Sequence, residues 1–509
     1  MLLTLLSSFV LSYAVIKWLN KFNFFKHENY KLNLITLGLI TSIGSLASYG
    51  LGPQTLSYNH YTLIFGNVFL ALILLISVNI TNKKRIFILS AILGVILAFQ
   101  FYVKAPNSLL FFLTYLITQF FHFKTIKNYF FVNLVIVLLS VIATITLISL
   151  PLTPIYFIKD YYNELSILSQ STAHNIWDLV GNYIFGCKDI WQYHLSNYKY
   201  TLLILTFCLV LLLQKQYNWL FNIANIIFIG VFLSLMYILY EKEYFVSGIK
   251  HIGTQTVVYI IMVFLITIIL VSNWLLQQKR KFSFQFTEKC FIVILFLFFP
   301  IICALGSTNF IHIQIIFHLS TWFILAFICF LYVKTINPNF NILLLLLLFA
   351  FVIKSCLNVY TATVTEPYRV NGTLYTQTEP LYIKTTNETI YIDKDLKNNL
   401  TLLANSISAS KPLAFCTSTE LMGLAYVFDK KLIGYGIYPC SSKSANQYIC
   451  QAFNKSELTK DKIYFLLSLA EEKCLDYPCF VKKNRGEKLF SIPWTNIGND
   501  SLFVYSRIK

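Results

Sequence analysis

Charged residues are scarce in this sequence. Asp, Glu, Lys and Arg make up 12% of its 509 residues, against about a quarter in a soluble globular chain. Acidic residues are the scarcest, 22 against 40 Lys and Arg, which leaves a net charge of +18. The absence of charge excludes a soluble enzyme and a disordered scaffold. Cysteine, with 11 residues, is near ordinary usage, so no disulfide framework defines the fold. No pair of His has a metal-ligand spacing such as HxxxH, and no glycine loop reads as a nucleotide cradle, so neither metal nor cofactor is expected.

What the chain has instead is apolar surface. Its residues are 57% hydrophobic and its mean hydropathy is +0.65, so most of it does not face water. Twelve apolar runs have the length a helix needs to cross about 30 Å of hydrocarbon. They cover 1–20, 32–50, 60–80, 86–103, 107–123, 129–150, 199–214, 219–240, 255–277, 289–306, 312–333 and 340–358. Residues 361–509 contain no such run and hold 14 of the 22 acidic residues. The expected architecture is an all-α polytopic membrane bundle over 1–360, followed by a small water-soluble α/β or α+β domain over 361–509.

Sidedness follows from the short loops. Those after odd-numbered runs carry Lys17, Lys21, Lys26 and Lys31, then Lys83, Lys84 and Arg85, then Lys124 and Lys127, and later Lys215, Lys279, Arg280, Lys281 and Lys334. The even loops are poorer in Lys and Arg, and 51–59 and 307–311 have none. The positive-inside rule puts the odd loops in the cytoplasm. Twelve spans then put the N-terminus and the C-terminal domain outside. Most of the +18 charge is therefore a topology signal rather than a nucleic-acid footprint. The first run has no positive segment before it and no clear small-residue cleavage site, so it reads as a retained helix rather than a signal peptide.

Within the C-terminal domain, 380–393 alternates as a strand or hairpin. An amphipathic helix is expected over 394–408, with Leu396, Leu400, Leu403 and Ile407 on one face. Strands are expected over 411–416, 462–468 and 502–508, and helices over 419–429 and 446–454. Cys440 and Cys450, and Cys474 and Cys479, flank short loops and are disulfide candidates if this domain is outside the cytoplasm.

Polar residues gather on the predicted outer side. The long loop 151–198 mixes aromatics with Asp160, Glu164, Asp178, Asp189, His174 and His194. Loops are also where polar residues ordinarily belong. Tyr58, Asn59 and His60 follow a short loop broken by Gly and Pro, and such groups suit sugar hydroxyls. Lys104 stands at the outer end of the fourth run. A cation at that depth is costly unless it snorkels or meets an anion. It reads either as a membrane anchor or as a contact to a lipid phosphate.

Four stretches occur in a suggestive order. They are Leu56-Ser57-Tyr58-Asn59, Lys104-Ala105-Pro106, Gly306-Ser307-Thr308-Asn309, and Pro367-Tyr368-Arg369 followed by Gln377 and the C-terminal domain. Together they resemble bacterial GT-C glycosyltransferases related to the dolichyl-phosphate-mannose/protein mannosyltransferase group. Each motif is short, so their order carries the resemblance. The resemblance implies a polyprenyl-phosphate-linked sugar donor within the membrane lipid and inverting transfer on the outer face of the cytoplasmic membrane. Lys104 would face the donor phosphate, Tyr58, Asn59, His60 and Asn309 would line the substrate site, and Arg369 would brace the junction or reach the phosphate.

In that family an acidic residue in the first outer loop serves the acceptor. Here the first outer loop, 51–59, has no Asp or Glu. The expectation is therefore a chain that begins at the family's second span and is inactive or truncated as it stands. The weaker alternative is that Asp160, Glu164 or His174 has taken over the catalytic role. Two other classes stay open: a transporter or flippase, and an envelope assembly protein without catalysis. Mid-depth spans nearly free of charge count against the transporter.

Overall fold

Hydrocarbon offers no hydrogen bonds to a backbone, so apolar runs of this length close their own amide ladders as helices. The computed structural model describes residues 1–21, 30–50, 57–122, 126–127, 129–150, 153, 155–156, 159, 176–196, scattered positions between 226 and 237, 284–306, 311–336, 341–366, 372–408, 414–417, 422–432, 463–468, 487–494 and 500–506. The chain divides into two compact units, one of residues 1–157 with 181–363, the other of 158–180 with 364–509.

The first unit is helical. Its helices are α1 (Leu2–Lys21), α2 (Tyr30–Leu46), α3 (Tyr58–Val78), α4 (Lys83–Phe121), α5 (Phe130–Ile148), the 181–196 part of α6 (Ile176–Ser196), α7 (Phe284–Ala304), α8 (Ser320–Ile336) and α9 (Asn341–Tyr360). Among the described residues five helices are long and apolar enough to cross a membrane. There are six if Ile311–His318 and Ser320–Leu331, bent by 68°, form one span. These are the helices of a multi-pass membrane protein, fewer than the twelve runs of the sequence. The runs at 199–214 and 255–277 lie outside the described residues, and only scattered helical positions are described within 219–240.

One of the five is really two. Straight, the 39 residues of α4 would reach about 58 Å, nearly twice the hydrocarbon thickness. Lys104 has extended dihedrals, φ −162° and ψ 87°, two residues before Pro106. Proline lacks an amide donor, so the helical ladder loses a rung in this turn. Beyond the break Ser108 Oγ donates to Leu97 O at 2.8 Å. Residues eleven apart in a straight helix would stand about 16 Å apart. The chain therefore folds back, and α4 is a helical hairpin with its tip at Lys104.

Small and hydroxylic residues hold the first helices together. Thr4, Ser8 and Ser12 share one face of α1. They meet Tyr49 Oη (3.0 Å), Ser45 Oγ (2.7 Å) and Thr41 Oγ1 (3.0 Å) in turn. Asn67 of α3 donates to Ser7 Oγ (3.3 Å) and Ser45 Oγ (3.4 Å) and accepts from Ser320 Oγ (2.8 Å). In an apolar medium such interhelical bonds are a large part of what fixes helix order. Asn67→Leu removes the hub, and we expect a loss of about 1–2 kcal/mol, read as a lower thermal midpoint in detergent.

The α4–α5 contact works by close approach. A Cβ on Gly94 would sit 2.5 Å from Val137 O and 2.6 Å from Ser140 Cβ. Gly94→Leu forces the two helices apart and should cost about 1–3 kcal/mol by the same assay.

The helical unit is pinned at both ends. A stack of Phe69 on Phe111 (4.6 Å between centroids) and Phe111 on Phe299 (5.4 Å) ties α3, the second arm of α4 and α7 at mid-length. At one end Glu288 of α7, 4% exposed, gathers the ends of three other helices. Its Oε1 accepts from Ser77 Oγ of α3 and lies 3.8 Å from Lys21 Nζ of α1 and 3.4 Å from His122 Nε2 at the end of α4. Lys21 Nζ also donates to Ser77 O at 2.8 Å. The other end is the one that holds Lys104.

The second unit has a β1–β2 hairpin (Glu379–Ile383, Glu388–Ile392), antiparallel, with Asn387 at φ +59° in its turn. Asp393 then caps α10 (Lys394–Ser408), accepting from Leu396 N at 2.8 Å. The expected face of α10 is the buried one: Leu400, Leu403 and Ile407 pack with Phe415, Leu424, Tyr464, Leu466 and Leu502. A five-stranded sheet has the order β4-β3-β5-β7-β6. Its strands are β3 (Ala414–Thr417), β4 (Lys431–Leu432), β5 (Ile463–Ser468), β6 (Glu487–Trp494) and β7 (Asp500–Ser506). β3 is parallel to β4 and β5, β7 is antiparallel to β5 and β6, and α11 (Met422–Val427) connects β3 to β4. This is the mixed sheet with helices that the sequence led us to expect. β6 was not expected, and it carries a bulge between Lys488 and Phe490. The helix expected over 446–454 lies outside the described residues.

Candidate functional site at the Lys104 end of the helical unit

The site begins with how α3 starts. Ser57 is its N-cap, with extended backbone, φ −103° and ψ 170°. His60 Nδ1 accepts from Ser57 N at 3.1 Å and pairs with Ser57 Oγ at 2.8 Å. This is the reciprocal arrangement of a capping box, with His in the place usually taken by Glu or Gln. The ring of His60 is fully buried, tilted 30° on Tyr49 at 4.2 Å and edge-on to Phe317 at 6.0 Å. Asn59 beside it is buried, while Tyr58 is exposed.

Lys104 sits at the hairpin tip and does not snorkel. It is 6% exposed, and Nζ donates to Cys303 O at 2.9 Å and Ala304 O at 3.4 Å. Asn107 Nδ2 joins it on Cys303 O at 2.8 Å. These are the terminal carbonyls of α7, which have no partner within their own helix and carry the negative end of its dipole. The cation therefore caps α7. On its other side lies Tyr58, with Nζ 5.7 Å from the ring centroid, in cation–π range. Neither sequence reading of Lys104 foresaw this cap, because its partner is 199 residues away.

The chain leaves α7 through Gly306, at φ +81°. A Cβ there would lie 3.4 Å from both Lys104 Cε and Pro106 Cγ. The backbone thus closes over the lysine with glycine in the left-handed region that other residues avoid. Gly306 N donates to Tyr183 Oη of α6 at 2.7 Å. Further polar groups are buried in this unit. His318 is fully buried, both of its ring nitrogens are unpartnered among the described residues, and it feels the charges of Lys104 and His60. Asn59 Oδ1, Asn107 Oδ1 and Gln314 Oε1 are likewise unpartnered.

Of the residues singled out from sequence, Tyr58 and Lys104 are in contact, and His60 lies one turn into the same helix start. Asn309, Arg369, Asp160, Glu164 and His174 lie outside the described residues, as do Cys440, Cys450, Cys474 and Cys479. Among the described residues no cluster of His, Cys, Asp and Glu is built to hold a metal. His318 and Asn107 belong to the same neighbourhood but have no local signature, whereas Gly306 opens one of the four stretches that carry the resemblance. Comparison with known proteins finds no matching family model, no matching curated protein and no matching solved structure.

Proposed function

We propose that the protein is a multi-pass membrane glycosyltransferase of GT-C type, acting on a polyprenyl-phosphate-linked sugar at the Lys104 end of its helical unit. The observation that supports this reading is the state of Lys104. It is withdrawn from water, held by carbonyls and an aromatic ring, and among the described residues no carboxylate lies within ion-pair distance of it. A buried charge without its own counter-ion is poised for an anionic ligand. Tyr58 lies against it, and Asn59 and His60 at the start of the same helix offer further groups that bind hydroxyls; Asn309 and Arg369 are proposed contacts on the sequence resemblance alone. In the full proposal twelve crossings of the cytoplasmic membrane put this end and residues 361–509 on its outer face. Asp160, Glu164 and His174 remain proposed catalytic groups.

The test is reconstitution of the full chain in nanodiscs with radiolabelled undecaprenyl-phosphate hexoses and envelope lipid acceptors. Binding of the donor and movement of label to an acceptor are expected. A folded protein that neither binds nor consumes any of them rules the reading out. A second reading, a flippase for the same lipid-linked anion, draws on the two helix breaks near the site, at Lys104 and at Leu319, since broken helices line ligand sites in carriers. Passage of the donor between leaflets without its consumption would select it.

A further inference from the structure

The helical unit has few carboxylates. Among its described residues they are Asp189 and Glu288, and Glu288 is locked among Lys21, Ser77 and His122. Glu288 lies about 22 Å along α7 from Cys303, the partner of Lys104. Asp189 stands at the Lys104 end. It is carried by α6, which touches that end at successive turns. Tyr183 Oη takes the hydrogen bond from Gly306 N, the residue that closes over Lys104. One turn on, Gly186 lies so close that a Cβ would sit 3.0 Å from Ile311 Cγ2 and 3.6 Å from His312 Nδ1. One turn further is Asp189, exposed, with its charge acting on the buried His312 ring.

We infer that Asp189 is the proton acceptor of the transfer reaction and that His312 is its positioning residue. The inference rests on the glycosyltransferase reading above. It also supplies what the first outer loop lacks, a carboxylate at the donor end. In the step, the acceptor hydroxyl gives its proton to an Asp189 carboxylate oxygen while its oxygen bonds to the anomeric carbon. The bond from that carbon to the phosphate oxygen breaks, and its electron pair leaves with the polyprenyl phosphate. Asp189 is open to solvent and returns the proton there. His312, buried against α6 one turn before Asp189, fixes where the carboxylate stands. Among the described residues the other charged or titratable groups at this end include Tyr183, Cys187 and Lys188 on the same helix, Lys104 with Tyr58 and Cys303 at the hairpin tip, and His318 and His60 behind it.

The experiment uses the full chain in nanodiscs, with donor binding and label transfer measured separately across pH. Asp189→Asn is expected to bind radiolabelled undecaprenyl-phosphate hexose within about twofold of the parent and to lose transfer by about 100-fold or more. Asp189→Glu should recover part of the rate. His312→Gln should lower kcat about tenfold or more and leave the KM for the donor and donor binding in place, which a merely structural role would not do. Asp189→Asn with undiminished transfer overturns the assignment of Asp189 and leaves the glycosyltransferase reading standing. A parent protein that neither binds nor consumes the donor overturns both.

Discussion

Replacing Glu288 by Ala is expected to be the most destabilising single change in the helical unit, at about 3–5 kcal/mol. The reason is the company the carboxylate keeps. It is 4% exposed and faces the ammonium of Lys21, the ring of His122 and the hydroxyl of Ser77. Taking out one partner of a buried ion pair leaves the other charge in low dielectric without compensation. Lys21 keeps its bond to Ser77 O at 2.8 Å, but it loses the only carboxylate in reach among the described residues. Four helix ends lose their common tie at once, which distinguishes this site from an exposed pair worth a fraction as much.

Two controls separate charge from shape. Glu288→Gln keeps the volume and a hydrogen-bond acceptor, so it should cost less than Ala but still more than Ser77→Ala. Lys21→Met together with Glu288→Leu should recover much of the loss, because a buried pair replaced by apolar groups is often neutral. The measurement is thermal unfolding in one detergent. A Glu288→Ala protein that melts with its parent would show that the cluster ties nothing.

The elements of this fold were legible where a local rule governs them. The third apolar run, read from 60, falls within two residues of the start of α3 at Tyr58, and the face of α10 follows from a 3.6-residue period that the structure buries as expected. The break at Lys104 is written in Pro106. Partners were not legible. Lys104 meets carbonyls 199 and 200 positions away, and Glu288 meets Ser77 across 211. Nothing near either residue announces the other. A lone Glu at the start of an apolar run looks like the edge of a loop, so the run reads from 289, whereas α7 begins at Phe284. β6 was missed because Pro493 and the charged Glu487 and Lys488 argue against a sheet strand. The bulge beside Lys488 and the position at the sheet edge are what make that sequence tolerable there. Asp189 looked like any loop carboxylate until α6 was seen to bring it to His312.

The second large effect belongs to Lys104. Lys104→Met is expected to abolish handling of a lipid-phosphate substrate, by 100-fold or more in transfer, while changing the thermal midpoint little. Two opposed terms keep stability nearly level. The ammonium contributes charge-assisted bonds to Cys303 O and Ala304 O, worth about 1.5–3 kcal/mol against a neutral end. Against this, a cation only 6% exposed has given up most of its hydration, at a cost of several kcal/mol. Met has a similar length and returns that cost, and Asn107 Nδ2 remains on Cys303 O at 2.8 Å, so the end of α7 stays capped.

Lys104→Ala is the harsher variant, since it also leaves space beneath Gly306 and the Tyr58 ring, and a lower midpoint is expected from packing alone. The informative result is thus the Met protein. Loss of donor binding at an unchanged midpoint assigns the charge to ligand. A lowered midpoint with donor binding intact assigns it to the cap on α7 and removes the main support for the glycosyltransferase reading.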